Sequence, residues 1–250
     1  MPQSEYMVEH ASRQRDGLVS QALAAAIAVT WLAIHWLTIF GPAVNDWSAP
    51  ALLATLAVQT WLSTGLFIIA HDCMHGALAP GRPARNRAVG RLALMIYAGL
   101  DFDRMLPAHF AHHRHVGTAA DPDFHAAAPR SPVRWFLNFF GNYYSHMQLV
   151  RITIAACIYL ALGASLLNIA VFWAVPAILA LVQLFVFGTF LPHRHCDDGF
   201  ADRHRARSVG PGGLMSLLGC FHFGGYHHEH HASPQTPWWR LPSIGRTTHA

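Results

Sequence analysis

The stretch ALLATLAVQTWLSTGLFIIAHDCMH, residues 51–75, sets the fold class. Its first part, Ala51–Ala70, holds no Asp, Glu, Lys or Arg, and about 20 apolar residues in a helix cross a bilayer. His71 follows at once, with His75 four residues on. Residues four apart share a helix face, so two imidazoles project together from the end of an apolar span. An apolar helix ending in metal-binding side chains predicts a membrane protein with its chemistry at the membrane boundary.

Composition agrees. The 250-residue chain is 53% hydrophobic and 12% charged, with mean hydropathy +0.26, against about 25% charged residues in soluble domains. Two further stretches carry no charge, Leu18–Phe40 and Ile152–Leu191. The second, as continuous helix, is about 60 Å long, enough for two passes, and is expected to fold back around Gly163–Asn168. The expected fold is an all-α integral membrane protein, one desaturase-like domain over residues 1–250. Its four spans fall at about 18–40, 51–70, 152–168 and 170–191, with a histidine-rich cap on one side. Ala88–Leu100 is too short to span and reads as an interfacial helix. Trp36, Trp47, Trp238 and Trp239 suit an aromatic belt.

Arginine placement gives an orientation. The chain has no lysine, and its arginines lie at 13 and 15, from 82 to 151, and from 194 to 246. None occupies the short connections Gly41–Pro50 and Gly163–Asn168. The positive-inside rule therefore puts both termini and the central segment in the cytoplasm and the protein in the inner membrane. The pI near 9.1 follows from this topology and implies no nucleic-acid partner. Glu5, Glu9 and Asp16 before the first span argue against a cleaved signal peptide. Cys73, Cys157, Cys196 and Cys220 form no Cys-x-x-Cys pair and are expected to stay reduced.

Nineteen histidines are concentrated in four clusters: 71/75, 109/112/113, 193/195 and 227/228/230/231. On helices the triplets His109/His112/His113 and His227/His230/His231 each present three imidazoles along one stripe. Topology brings all four clusters to the cytoplasmic side. His10, His35, His125, His146, His204 and His249 stand alone and read as packing or surface residues. His115, His195, His222 and His228 adjoin the clusters off the stripes, where hydrogen bonding to a ligand is the expected role.

Eight stripe histidines, or nine with one of His193 and His195, exceed the needs of one four-coordinate zinc. They suit two metals with four or five nitrogen ligands each. Two irons would activate dioxygen for attack on an unactivated C–H bond, which redox-inert zinc does not do. A site at the membrane boundary implies a lipid-soluble substrate and an electron donor arriving from the cytoplasm.

The His-x-x-x-His box after a span, followed by two His-x-x-His-His boxes, resembles the membrane fatty-acid desaturases and hydroxylases. The runs Phe67–Gly76, Ala111–Thr118, Asp121–Phe124, Phe187–His193, Cys220–His231 and Pro237–Pro242 resemble more closely the bacterial β-carotene ketolases. That resemblance implies oxidation of C4 and C4′ of β-ionone rings by two successive hydroxylations and loss of water. β-Carotene would give canthaxanthin, and zeaxanthin astaxanthin. It further implies two iron ions, dioxygen as co-substrate and an external donor such as a ferredoxin. The implied ligands are His71, His75, His109, His112, His113, His193, His227, His230 and His231, with Asp72, Asp121, Asp123 and Glu229 as candidates to orient them. A carotenoid 3-hydroxylase or a fatty-acyl desaturase would share the histidine spacing. A membrane metal transporter would place ligands at mid-membrane depth, whereas the spans hold only His35, toward the outer end of the first.

Overall fold

A computed structural model describes residues 3–196, 199–209, 212–219, 222 and 224–248, with the side chains of residues 3–10 and 245–248 outside that description. Asp197, Asp198, Cys220 and His249, and the side chain of His10, therefore lie outside the described residues. The described chain is helical: α1 (Gln3–Ile39), α2 (Ala49–Met74), α3 (Pro83–Ala98), α4 (Phe102–His115), α5 (Pro132–Tyr143) and α6 (His146–Ala161). A long helix, α7 (Leu166–His193), and three short ones, α8 (Leu214–Gly219), α9 (His227–Ala232) and α10 (Leu241–Thr248), follow.

Local chemistry sets the boundaries. Asp101 accepts hydrogen bonds from the Asp103 and Arg104 amides at 3.0 and 3.2 Å and caps α4. Ser131, Ser145 and Ser165 cap α5, α6 and α7 in the same way, each satisfying an amide the helix leaves unpaired. Gly99 ends α3 at φ +65°, a conformation that favours glycine.

Among the described residues three helices are long and apolar enough to cross a membrane: Ala11–Ile39 within α1, Ala49–Met74 and Leu166–His193. The expected third span takes a different form. It starts at His146 and ends at Ala161, so it rises only about 24 Å, because Ser145 starts the helix early and the turn at Gly163 ends it. The next helix begins at Leu166, not 170.

Pro192 disfavours helical geometry at Leu191 and would by local rules end or kink the helix there. Leu191 keeps helical angles, and the helix runs on to His193. A proline ring clashes with the carbonyl four residues back. For Pro192 that residue is Gly188, in the middle of a π-helical turn, Val186–Phe190. Pro176 has the same arrangement, with Phe172 inside the π turn Ala170–Ala174. The widened turns absorb both prolines without ending the helix.

α2 is the central element, packed on α1, α3 and α7. Ile27 and Trp31 of α1, Leu62, Leu66 and Ile69 of α2, Leu94 of α3 and Ala180 of α7 share one buried core. Several polar groups inside it are paired: Trp31 Nε1 donates to Ser63 Oγ at 2.9 Å and Thr64 Oγ1 to Gln183 Oε1 at 3.1 Å. His35 stacks on Trp31 and lies 3.0 Å from the Tyr159 hydroxyl, a packing role. Leu18, Val29, Leu53, Ile154 and Ile178 face outward, each more than half exposed, as lipid-facing side chains do. Trp36 is exposed, but Trp238 is buried and its amide donates to Asp72 Oδ2 at 3.2 Å. Trp239 Nε1 donates to Ser20 Oγ at 3.0 Å. These two tryptophans dock the C-terminal segment onto α1 and α2 and belong to no belt, because hydrogen bonds to the span ends hold them inward.

Candidate metal centre

α2 ends on His71 and His75, α7 ends on His193, and α4 and α9 carry the two triplets. Antiparallel packing of α1 and α2, with the C-terminal segment tied to both, brings these ends together. The nine histidines gather in two groups. His71, His75, His109, His113 and His230 form one, and His112, His193, His227 and His231 the other, with ligand atoms in each all within 4.8 Å of one another.

The split follows from helix geometry. Residues four apart diverge by about 40°, so 71/75, 109/113 and 227/231 each stay in one group. Consecutive residues diverge by about 100°, so His112 turns from His113 and His230 from His231. Each triplet therefore serves both groups, where the sequence suggested a single stripe.

The donor set fits two metal ions. His75 Nε2 lies 2.6 Å from His109 Nε2, His193 Nε2 2.9 Å from His227 Nε2, and His230 Nε2 3.1 Å from His113 Nε2. His227 Nε2 also faces His231 Nε2 at 3.1 Å. Adjacent nitrogens on one metal with bonds near 2.1 Å are about 3.0 Å apart. His193 Nδ1 donates to the Arg205 carbonyl at 2.8 Å, which leaves its Nε2 as a lone pair aimed at His227. Burial first, then the neighbouring imidazoles, hold His109, His227, His230 and His231 well below the ordinary imidazole range. His75 and His113 are lowered in the same direction. Neutral imidazoles with converging lone pairs are what a divalent cation binds.

His112 is held differently. Its Nδ1 lies 2.9 Å from Asp121 Oδ1 and 3.8 Å from Asp123 Oδ2. Burial lowers its pKa, but the Asp121 hydrogen bond and the two carboxylate charges outweigh burial, and the net direction is up. The proton stays on Nδ1, and Nε2 is left for the group with His193. Although His112, Asp121 and Asp123 also cluster closely, three of the four carboxylate oxygens already accept hydrogen bonds. Asp121 accepts from the Gly117 and Asp123 amides at 2.8 and 2.9 Å, and Asp123 Oδ1 from the Tyr143 hydroxyl at 2.5 Å. The cluster is a carboxylate clamp on a ligand histidine. Replacing Asp121 by Asn removes the charge and keeps an acceptor. A loss of about 10- to 100-fold in iron affinity or activity is expected, read as iron per chain under graded chelator. Unchanged iron retention would count against the clamp.

Asp72 Oδ1 lies 3.9 Å from His71 Nδ1, and its Oδ2 accepts from the Trp238 amide. The remaining candidates for an orienting role turn elsewhere. His115 is exposed at the end of α4. His228 Nε2 pairs with Asp202 Oδ2 at 2.9 Å, and Glu229 takes the Ser208 hydroxyl. Both follow His227 on α9 and rotate off the ligand face. His222 stacks on Trp61 with centroids 4.1 Å apart and lies edge-on to Trp238; its ring nitrogens have no hydrogen-bond partner. His195 stacks on Phe124 and joins neither group. Nothing in the sequence signalled Arg205, whose carbonyl orients His193 from a backbone at φ +45°, or Tyr143, which reaches Asp123 from 20 residues away.

A cavity of about 110 Å³ opens beside the histidines. His71, His109, His227 and His230 line one side, and Phe67, Met105, Phe139, Leu184 and Phe187 line much of the rest.

Fold and site define the class: an all-helical protein with membrane-length helices and a buried histidine centre of two metal-binding groups. The family described as fatty acid desaturase matches residues 45–250. The chain is 48% identical over 234 residues to a β-carotene ketolase of Paracoccus sp. (strain PC1), covering 93% of this chain and 94% of that one. A β-carotene ketolase of Paracoccus sp. (strain N81106 / MBIC 01143) is 46% identical over 95% of this chain and 97% of its own. A zeaxanthin 4-ketolase of Chlamydomonas reinhardtii is 35% identical over 87% of this chain and 52% of its own. The chain belongs to the β-carotene ketolases within the fatty acid desaturase family.

Proposed function

We propose that this protein is a carotenoid ring oxygenase that converts the C4 and C4′ methylene groups of β-ionone rings to ketones. The observation that carries this reading is the apolar cavity walled on one side by the two histidine groups, together with relatives named as ketolases over nearly the whole chain. His71, His75, His109, His113 and His230 would hold one iron, and His112, His193, His227 and His231 the other. When bound, the pair supplies dioxygen reduction and insertion of oxygen into a ring C–H bond.

The protein's part is binding, positioning and exclusion of water. Phe67, Met105, Phe139 and Leu184 enclose the ring, and His71, His109, His227 and His230 border it on the metal side. Asp121 and the Arg205 carbonyl fix the rings of His112 and His193, so the ligand set does not reorganise between turnovers. Each hydroxylation consumes one dioxygen, two electrons and two protons and releases one water. The second gives a geminal diol at C4, which loses water to the ketone.

Electrons come from an external protein such as a ferredoxin. A polar cleft lined by Arg13, Asp16, Gln235 and Arg240 opens next to His75 and supports entry on that face. The protein is a single domain over residues 1–250 in the inner membrane, with α6 as a fourth, shorter membrane helix. Both termini and the histidine cap face the cytoplasm, as arginine placement argues.

Expression in bacteria that already make β-carotene tests the reaction. The expected pigment is canthaxanthin, identified by mass and chromatography, and in cells that make zeaxanthin it is astaxanthin. Pigment that stays β-carotene, or gains only 3-hydroxyl groups, in cells with verified protein would refute the ketolase assignment.

A further inference from the structure

At about 110 Å³ the cavity beside the histidines is too small for a whole carotenoid, so the conjugated chain and the far ring need a place outside it. A second cavity of about 310 Å³ lies between α3, α5, α6 and α7. It shares five wall residues with the first: Phe67, Met105, Phe139, Tyr143 and Leu184. From Leu184 it follows α7 back to Ile169, about 22 Å by helical rise. It therefore tracks most of a hydrocarbon core of about 30 Å.

The groove wall has the chemistry a polyene needs. The Tyr97 hydroxyl donates to the Ala177 carbonyl at 3.1 Å, and Gln148 Nε2 to the Ala98 carbonyl at 3.0 Å. Both polar side chains are thereby turned to the protein backbone. Phe140 and Tyr144 stack at 5.8 Å and offer flat faces. Alanines at 98, 156, 174 and 177 keep the floor shallow enough for a rod. At the outer edge Ile178 and Phe140 are 57% and 45% exposed, so the groove opens sideways, toward lipid.

We infer that the groove between α6 and α7 holds the polyene chain of the carotenoid, with Phe67, Met105, Phe139, Tyr143 and Leu184 as the collar through which one ring reaches the histidine cavity. A lateral opening also lets the pigment withdraw and return reversed, which oxidation of both rings requires. Tyr143 links the collar to the centre, because its hydroxyl also holds Asp123 beside His112. This inference rests on the ketolase reading given above.

Filling the groove from opposite walls tests it. Ala156→Phe on α6 and Ala177→Phe on α7 leave every histidine untouched. Leu179→Phe, which adds the same ring to the outward face of α7, is the control. Ketocarotenoid yield is measured in β-carotene-producing cells, with iron per chain on the purified protein. β-Carotene retention by chelator-treated, iron-free protein in detergent gives a reading independent of turnover. Both filled variants are expected to keep their iron while yield and pigment retention fall by about tenfold or more, and Leu179→Phe is expected to match the parent. If filling one wall costs iron, the smaller Ala156→Leu gives the same reading in graded form.

Parent-level yield in both filled variants, or lost yield with unchanged pigment retention, would overturn the groove assignment. So would retention of phospholipid acyl chains as the sole groove-dependent ligand. Absence of ketone in the parent would sink the ketolase reading instead, with pigment retention still deciding the groove.

Discussion

His112→Ala is expected to abolish ketone formation and to bring the iron content from about two per chain to about one, because single ligand-shell losses already cost 10- to 100-fold in affinity. His112 belongs to the group of four, so its loss leaves three nitrogens there. It is buried at 3% exposure and is the histidine clamped by Asp121, so no neighbouring side chain can swing in to replace it. His230→Ala gives a contrasting result. His230 belongs to the group of five, and four nitrogens remain to hold the ion. Ketone formation should fall by about 100-fold or more while iron stays near the parent value. Iron analysis on membrane-inserted protein, paired with pigment extraction, separates the two. Full ketone yield in either variant would remove the two-iron centre, and equal iron loss in both would contradict the five-and-four division.

His193→Ala and His195→Phe form the second contrast. His193 Nε2 lies 2.9 Å from His227 Nε2, and its Nδ1 is fixed by the Arg205 carbonyl. Its removal should cost about 100-fold or more in ketocarotenoid yield, with iron lost from the same group as in His112→Ala. His195 instead stacks on Phe124 at 5.1 Å and meets the edge of Phe200 at 5.7 Å. His195→Phe keeps those aromatic contacts and should retain iron and yield within about threefold. The two residues part because the helix ends between them, with Arg194 extended at φ −60° and ψ 137°. Divergence of about 200° around a continuing helix is not the cause. Iron loss in the His195 variant with iron kept in the His193 variant would show that the wrong histidine has been placed at the metal.

Much of the architecture was legible because it rests on local rules. Charge-free runs such as Ala51–Ala70 report membrane helices through the cost of burying charge in lipid. The starts set by the Ser145 and Ser165 caps were missed, because absence of charge marks the apolar run and not the helix end. His71 and His75 sit four apart at the end of a span, and that spacing alone places both rings on one face. The four histidine clusters, and the family resemblance carried by the runs around them, were equally open to reading, since spacing within a helix needs no tertiary information.

What the sequence by itself determined was which residues could bind metal and that they lie at one end of a helical bundle. Only the tertiary structure decided how they are shared. Whether His112 joins His113 or His193 depends on how α4 is rotated against α7 and α9, a packing outcome no local rule contains. The same holds for Tyr143 on Asp123, for the Arg205 carbonyl on His193, and for Trp238 against Asp72, since each joins segments at least 12 residues apart. Continuation of α7 through Pro192 was hidden for a related reason. Proline's local preference ends a helix, but packing of α7 in the bundle stabilises a π turn at Gly188 that removes the clash, and His193 is carried on that helix to the metal.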